Sequence, residues 1–319
     1  MRKFLGILGV VATSLTVLTG CSEGNDKASE SKIQVVTSTN VYAEIVQEIA
    51  GDTVEVKALV NSTSQDPHSY EATAVDRLTV KDANIVVING GGYDHFLENL
   101  AGTDNSDQKI INAAQTSELF DDEELKELTE GHSSEHHDHH HDHGELNEHI
   151  WYSFTGMSKV ADEIANQLSE TAPEHAQQYQ EGAKKFSEDM DKLTTSANAI
   201  KAEGKKYLAT EPVPGYLLET AGVKNVTPED LTSAVEEDSD IPPLTLQNVR
   251  ESLQNHSIDV VAFNEQTATA QTKQILSTAQ SNKVPTVSFT ETIPENQTYT
   301  QWMENNVNNL REVLTTAHE

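Results

Sequence analysis

Apolar residues recur along most of this chain in two rhythms that take turns. Residues 33–37 (IQVVT) are a short β-branched run, the pattern of a strand. Ser38, Thr39 and Asn40 then offer capping side chains, and Val41, Ile45, Val46 and Ile49 follow at helical spacing. Gly51 and Asp52 turn the chain into residues 54–60 (VEVKALV), whose alternation predicts a second strand. After the stretch Asp66-Pro67-His68-Ser69-Tyr70-Glu71, residues 71–81 read as a helix with Ala72, Val75, Leu78 and Thr79 on one face. Residues 84–89 (NIVVIN) have the unbroken apolar centre of a strand covered on both faces. The three glycines that follow, Gly90 to Gly92, lack both the G-x-G-x-x-G spacing and a Walker lysine, so they predict a tight turn into a helix over 93–100. Residues 109–113 complete a fourth strand.

From Gly156 the rhythm is helical. Met157, Val160, Ile164 and Leu168 share a face, Pro173 punctuates, and residues 174–202 continue with Tyr179, Phe186, Met190 and Leu193. Beyond that long helix the alternation resumes. Strands are predicted over 207–210 (YLAT), 259–264 (DVVAFN) and 284–289 (VPTVSF), with helices over 216–221, 245–255, 268–281 and 299–317. Gly222 caps the first of these helices, and the acidic, proline-bearing span 227–243 reads as loop. The fold class predicted is α/β: two lobes, each with a mostly parallel sheet flanked by helices, joined by a long linker helix. The first lobe covers 33–171, the linker helix 172–204 and the second lobe 205–319.

The N-terminus and the charge add a compartment. Met1-Arg2-Lys3, an apolar run and small residues up to Gly20 have the form of a secretory signal peptide over 1–20, too short for a confident spanning helix. Its ending, Leu18-Thr19-Gly20-Cys21, resembles the lipobox of bacterial lipoproteins, which implies acylation of Cys21 and a cell-membrane anchor facing outside the cytoplasm. Cys21 is the single cysteine, so no structural disulfide competes for it. Residues 21–32 are polar and aperiodic, a tether. With 52 acidic side chains against 21 basic ones and a formal net charge of -31, the chain repels nucleic acid and anionic headgroups; cations are its natural partners. A monomer is expected.

The strongest chemical signal is the stretch 131–152, GHSSEHHDHHHDHGELNEHIWY. Imidazole suits zinc, copper and nickel, and carboxylates add harder oxygen donors. His132, His136, His137, His139, His140, His141 and His143 repeat at no fixed ligand spacing, so the loop 131–146 reads as an auxiliary, fluctuating metal-catching segment, with a merely solvated charge run as the plain alternative. Ligands of parallel sheets bind beyond the carboxyl ends of strands. Metal donors past strands or past the tract are His68, His149, Glu211 and Glu291, two from each half, enough for a divalent transition metal at ~2.0–2.2 Å in the zinc case. Taken singly, such a histidine is often a hydrogen-bonded core residue and such a glutamate a solvated one; the joint placement favours ligands. His95, His175, His256 and His318 read as surface residues.

Four segments carry a wider resemblance: Asp66-Pro67-His68-Ser69-Tyr70-Glu71, Asn147-Glu148-His149-Ile150-Trp151, Gly215-Tyr216 and Phe289-Thr290-Glu291. Over about the whole mature chain they resemble the metal-binding solute-binding lipoproteins of bacterial zinc and manganese ABC importers (cluster A-I). The resemblance implies that His68 and His149 are the imidazole ligands, that the partner is a membrane ABC permease with its cytoplasmic ATPase, and that the protein captures one ion without catalysing a reaction. Zinc-type members carry a histidine four residues before the Gly-Tyr pair, where this chain has Glu211 as manganese-type members do. Glu291 stands where the family usually has Asp. Two imidazoles and two carboxylates leave manganese open, while the histidine loop argues for Zn2+, which outcompetes Mn2+ at imidazole sites. Zinc import is therefore the expected function, with manganese as the alternative. A metal-buffering adhesin that uses the tract alone and a secreted metallohydrolase are the rivals of another class; for the latter neither H-E-x-x-H nor H-x-x-E-H is present.

Overall fold

Strand β1 (Ile33–Thr39) is buried at all positions but one, and its neighbours explain why. It pairs in parallel with β2 (Val54–Val60) on one edge and β3 (Ile85–Ile88) on the other; β4 (Lys109–Asn112) adds to β3, giving the order β2-β1-β3-β4. Parallel neighbours require crossovers. These are α1 (Asn40–Ala50), α2 (Ala74–Asp82) and the short α3 (His95–Glu98). Helix α1 buries Val41, Tyr42, Ile45, Val46 and Ile49, the positions its spacing marked. A computed structural model describes residues 32–121, 123–126, 147–237 and 239–316. The signal segment, Cys21, the tether up to residue 31 and the histidine loop 131–146 lie outside the described residues. Among those described, no helix is long and apolar enough to cross a membrane.

After α4 (Ala113–Ser117) come the two longer helices α5 (Phe154–Thr171) and α6 (Ala176–Asn198). Met157, Val160, Ile164 and Leu168 of α5 and Tyr179, Phe186, Met190 and Leu193 of α6 are all buried. Helix α6 packs on α5 and α1, and Gly182 is why it lies so close: a Cβ there would stand 2.4 Å from the Ile49 carbonyl oxygen. The second sheet repeats the first. Strands β5 (Lys206–Ala209), β6 (Lys224–Asn225), β7 (Val260–Asn264) and β8 (Thr286–Phe289) run parallel in the order β6-β5-β7-β8. Their crossovers are α7 (Gly215–Thr220), then α8 (Glu229–Glu236) and α9 (Pro243–Gln254), then α10 (Ala270–Ser281); α11 (Tyr299–Thr316) closes the chain and packs against α6. Gly222, at φ 86, donates its N–H to Glu219, and Val223 donates to Leu218, the paired bonds that end α7 as Gly222 predicts. One apolar cluster joins residues of both sheets, Val35 and Val87 with Ala209 and Ala262, through α5 and α6.

Three local expectations need correction. On α2 the buried positions are Asp76 and Val80, while Val75 and Leu78 are 65% and 62% exposed. A capping box sets that rotation: Asp76 accepts from the N–H and hydroxyl of Thr73 and from the Tyr70 hydroxyl, which turns it toward the preceding loop. The span 227–243 holds α8, whose Leu231, Ala234 and Val235 are buried in a cluster with Val249, Leu253 and Ile275; the acidic and proline content hid a helical spacing. The helix expected over 93–100 shrinks to α3, because Gly90, Gly91 and Gly92 all have positive φ and the turn consumes the residues up to Asp94.

Candidate metal centre

In both sheets the chain steps from its first strand to one side and then returns to the other, so the crevice for a ligand opens past the carboxyl ends of the two inner strands. In the second sheet those ends are Glu211, after β5, and Asn264, the last residue of β7. Asn264 sits between two glutamates: its Nδ2 donates to Glu211 Oε2 and, at 2.7 Å, to Glu291 Oε1. Thr267 also donates to Glu211, and Gln266 accepts the Glu291 N–H at 2.7 Å. From the first sheet, the turn at Gly90 to Gly92 delivers Tyr93, whose hydroxyl donates to Glu291 Oε2 at 2.9 Å. Glu291 is fully buried and Glu211 is 2% exposed.

The imidazoles come from the first half. Asp66 Oδ1 accepts the His68 N–H at 2.9 Å, closing the turn that the Asp-Pro-His stretch encodes. The His68 ring meets Tyr93 edge-on, centroids 4.9 Å apart, and its Nε2 stands 3.2 Å from Glu291 Oε2. His149 is wholly buried beside Trp151 and Tyr93. Its Nδ1 lies 2.8 Å from Asn147 Oδ1, and Asn147 Nδ2 donates to the Pro212 carbonyl at 2.8 Å. That second bond assigns the amide orientation, so Asn147 Oδ1 accepts from Nδ1–H and the lone pair of His149 is left on Nε2, facing the glutamates. The Gly215-Tyr216 pair has a physical reason in the same place. A Cβ on Gly215 would lie 2.7 Å from Asn147 Nδ2, and the Tyr216 hydroxyl donates to the Asn147 carbonyl at 2.8 Å.

Electrostatics divide the donors. Burial pulls the His149 pKa down, against the opposing pull of Glu148 and Glu291, and keeps the ring neutral. For His68 burial also pulls down, yet the carboxylates of Glu291, Glu148 and Glu211 prevail and push it up to about 10. Burial, then the neighbouring Glu291 charge, raises Glu211 to about 8. Glu291 is drawn below the ordinary carboxylate range: burial works against this, but His68, His149 and the Tyr93 hydroxyl outweigh it. A proton on His68 thus balances Glu291 where a cation would otherwise do so.

Of the sequence-predicted donors, His68, Glu211 and Glu291 have donor atoms mutually within 4.8 Å; His149 falls within the same distance of His68 and Glu148. The four therefore face one crevice as two overlapping groups that share His68. Tetrahedral donors at ~2.1 Å from zinc are ~3.4 Å apart, so seating one ion on all four asks the two groups to draw together. Two buried donor atoms have no partner, His149 Nε2 and Glu211 Oε1, and His68 Nε2 has only its 3.2 Å ion pair with Glu291. Unpartnered polar atoms this deep are costly unless a ligand satisfies them, and their types suit a borderline divalent cation. Asn147, Asn264, Tyr93 and Glu148 escaped the sequence reading of the site. Asn264 and Tyr93 were detectable, one at a strand end and one just past the glycine run; Asn147 and Glu148 stood in the segment up to Trp151 with no role attached to them.

Residues 35–313 match the family described as zinc-uptake complex component A, periplasmic. The chain is 29% identical over 258 residues, 73% of this chain and 78% of the relative, to the manganese ABC transporter substrate-binding lipoprotein PsaA of Streptococcus mitis. It is 25% identical over 272 residues, 83% and 82%, to the high-affinity zinc uptake system protein ZnuA of Bacillus subtilis. Among solved structures, the Mn-bound periplasmic metal binding protein from Candidatus Liberibacter asiaticus shares the fold at a TM-score of 0.68 and 20% identity, over 89% of this chain and 100% of that one. A ZnuA crystal structure does so at 0.68 and 18%, over 89% and 98%. The chain belongs to the zinc-uptake component A family, the metal-binding solute-binding components of ABC importers for zinc and manganese.

Proposed function

We propose that this protein captures one zinc ion between its two sheets through His68, His149, Glu211 and Glu291 and hands it to a membrane permease, anchored at the cell surface by an acylated Cys21. What supports the reading is that His68, held by Glu291 alone, meets the unpartnered His149 Nε2 and Glu211 Oε1 in two overlapping donor groups. The ion is cargo. Capture displaces the proton from His68 and lets Glu211 and Glu291 ionise together, and closure around the ion leaves no coordination position for water, which is what separates a carrier from a hydrolase. The chain's interlobe role for residues 172–204 and the metal-gathering role of the loop His132 to His143 belong to the same proposal.

Manganese is the second reading, favoured by the two carboxylates, Glu211 above all, which harden the donor set. Competitive titration of the full chain with Zn2+ and Mn2+ separates the two. Zinc is expected to displace manganese from one tight site, and Glu211→His to widen that preference by about tenfold or more. Manganese held against equimolar zinc would overturn the zinc reading.

A further inference from the structure

Glu148 stands next to the donors without belonging to the proposed set. Its carboxylate lies with His68 and His149 in a group whose donor atoms are within 4.8 Å of one another, and this group shares only His68 with the group of Glu211 and Glu291. The backbone there is fixed, because the Glu148 carbonyl accepts from Asn89 Nδ2 at 3.1 Å. No described residue hydrogen-bonds its carboxylate, whereas Glu211 and Glu291 are tied by Asn264, Thr267 and Tyr93. His149 Nε2 is fully buried and unpartnered. Among the carboxylates Glu148 is 8% exposed, against 2% for Glu211 and none for Glu291.

We propose, on the reading that His68, His149, Glu211 and Glu291 hold the ion, that His68, Glu148 and His149 form a separate outer position for a divalent transition metal. The ion arrives there with three donors and moves inward while both imidazoles keep hold of it. One carboxylate, Glu148, is exchanged for two, Glu211 and Glu291. A free carboxylate suits the first step because it can turn to meet the ion. Tied carboxylates suit the last, because they lose little freedom when the ion settles.

Rapid mixing of the full chain with Co2+ tests this, with Trp151 as reporter, its ring 5.2 Å from that of His149. Glu148→Gln is expected to slow association and dissociation together by about tenfold and to leave the equilibrium affinity within about twofold. Glu148→Asp, which keeps the charge but withdraws the carboxylate by one methylene, is expected to remain slow. An unchanged association rate in Glu148→Gln, or the wild-type rate in Glu148→Asp, overturns the outer position, the latter because charge alone would then be steering the ion. A weakened affinity at an unchanged association rate overturns it too, by making Glu148 a ligand of the final complex. His149→Ala is the separate control: tight Co2+ binding in that protein sinks the underlying site, whatever Glu148 does.

Discussion

The two sheets share one strand order, β2-β1-β3-β4 and β6-β5-β7-β8, yet they bring opposite chemistry to the crevice. In the proposed four-donor set the first half presents imidazoles, the second carboxylates, and each uses an asparagine to prepare them. Asn147 turns its carbonyl oxygen to His149 and fixes the tautomer; Asn264 turns its amide nitrogen to Glu211 and Glu291 and holds the two carboxyl groups side by side. Neither half alone can hold a borderline cation well. Two neutral rings lack charge, and two adjacent buried carboxylates resist ionising together: burial, then the Glu291 charge, raises Glu211 to about 8. The lesson is that one fold, used twice, makes a metal centre only when the halves differ.

Proton competition should break this comparison most strongly. With His68 raised to about 10 and Glu211 to about 8, both hold protons near pH 7, and an arriving ion expels them. Each proton displaced is worth about tenfold in affinity per pH unit, so zinc binding is expected to tighten by about a hundredfold per unit between pH 6 and 8. The metal-free fold should respond in the opposite sense. Both groups have folded pKa values above their ordinary 6.5 and 4.5, so the stability they contribute is complete below those values and is lost as pH rises through about 10 and about 8. Calorimetric titration in buffers of different ionisation enthalpy and melting curves of the metal-free protein read the two trends. A flat affinity profile would mean that no proton stands in for the ion.

A smaller effect sharpens the contrast between the two asparagines. Asn147→Ala is expected to cost about 10–100-fold in zinc affinity, the range for a residue that orients a ligand histidine. Asn147→Asp, which still accepts from His149 Nδ1–H, should recover most of that loss. Asn264→Asp should be worse than Asn264→Ala, since it sets a third carboxylate against two already crowded. Chelator competition on the four variants gives the order; equal losses for both Asp variants would mean that the asparagines are not used in opposite senses.

Much of this was legible in the chain. Strands such as IVVI and VVAFN are buried on both faces, so composition alone marks them as parallel and central, while Glu211 and Glu291 closely follow β5 and β8 and His68 sits in the loop after β2. What stayed hidden was set by tertiary contacts. The face of α2 depends on a cap between Thr73 and Asp76 that also engages Tyr70, and helix α8 reads as loop until its apolar partners on α9 and α10 are in place. Asn147 opened the segment that holds His149, with no role of its own attached to it. Its role depends on Pro212 and Gly215, more than sixty residues away, which no local pattern carries.

The central claim is that imidazoles from one half and carboxylates from the other meet on a single ion. Zinc K-edge absorption on the full chain loaded with one equivalent of zinc tests it most directly, with His149→Ala alongside. The wild type should show nitrogen and oxygen donors at ~2.0–2.2 Å including two imidazoles, and the variant one imidazole fewer. An identical spectrum from His149→Ala would place the ion elsewhere and contradict the account.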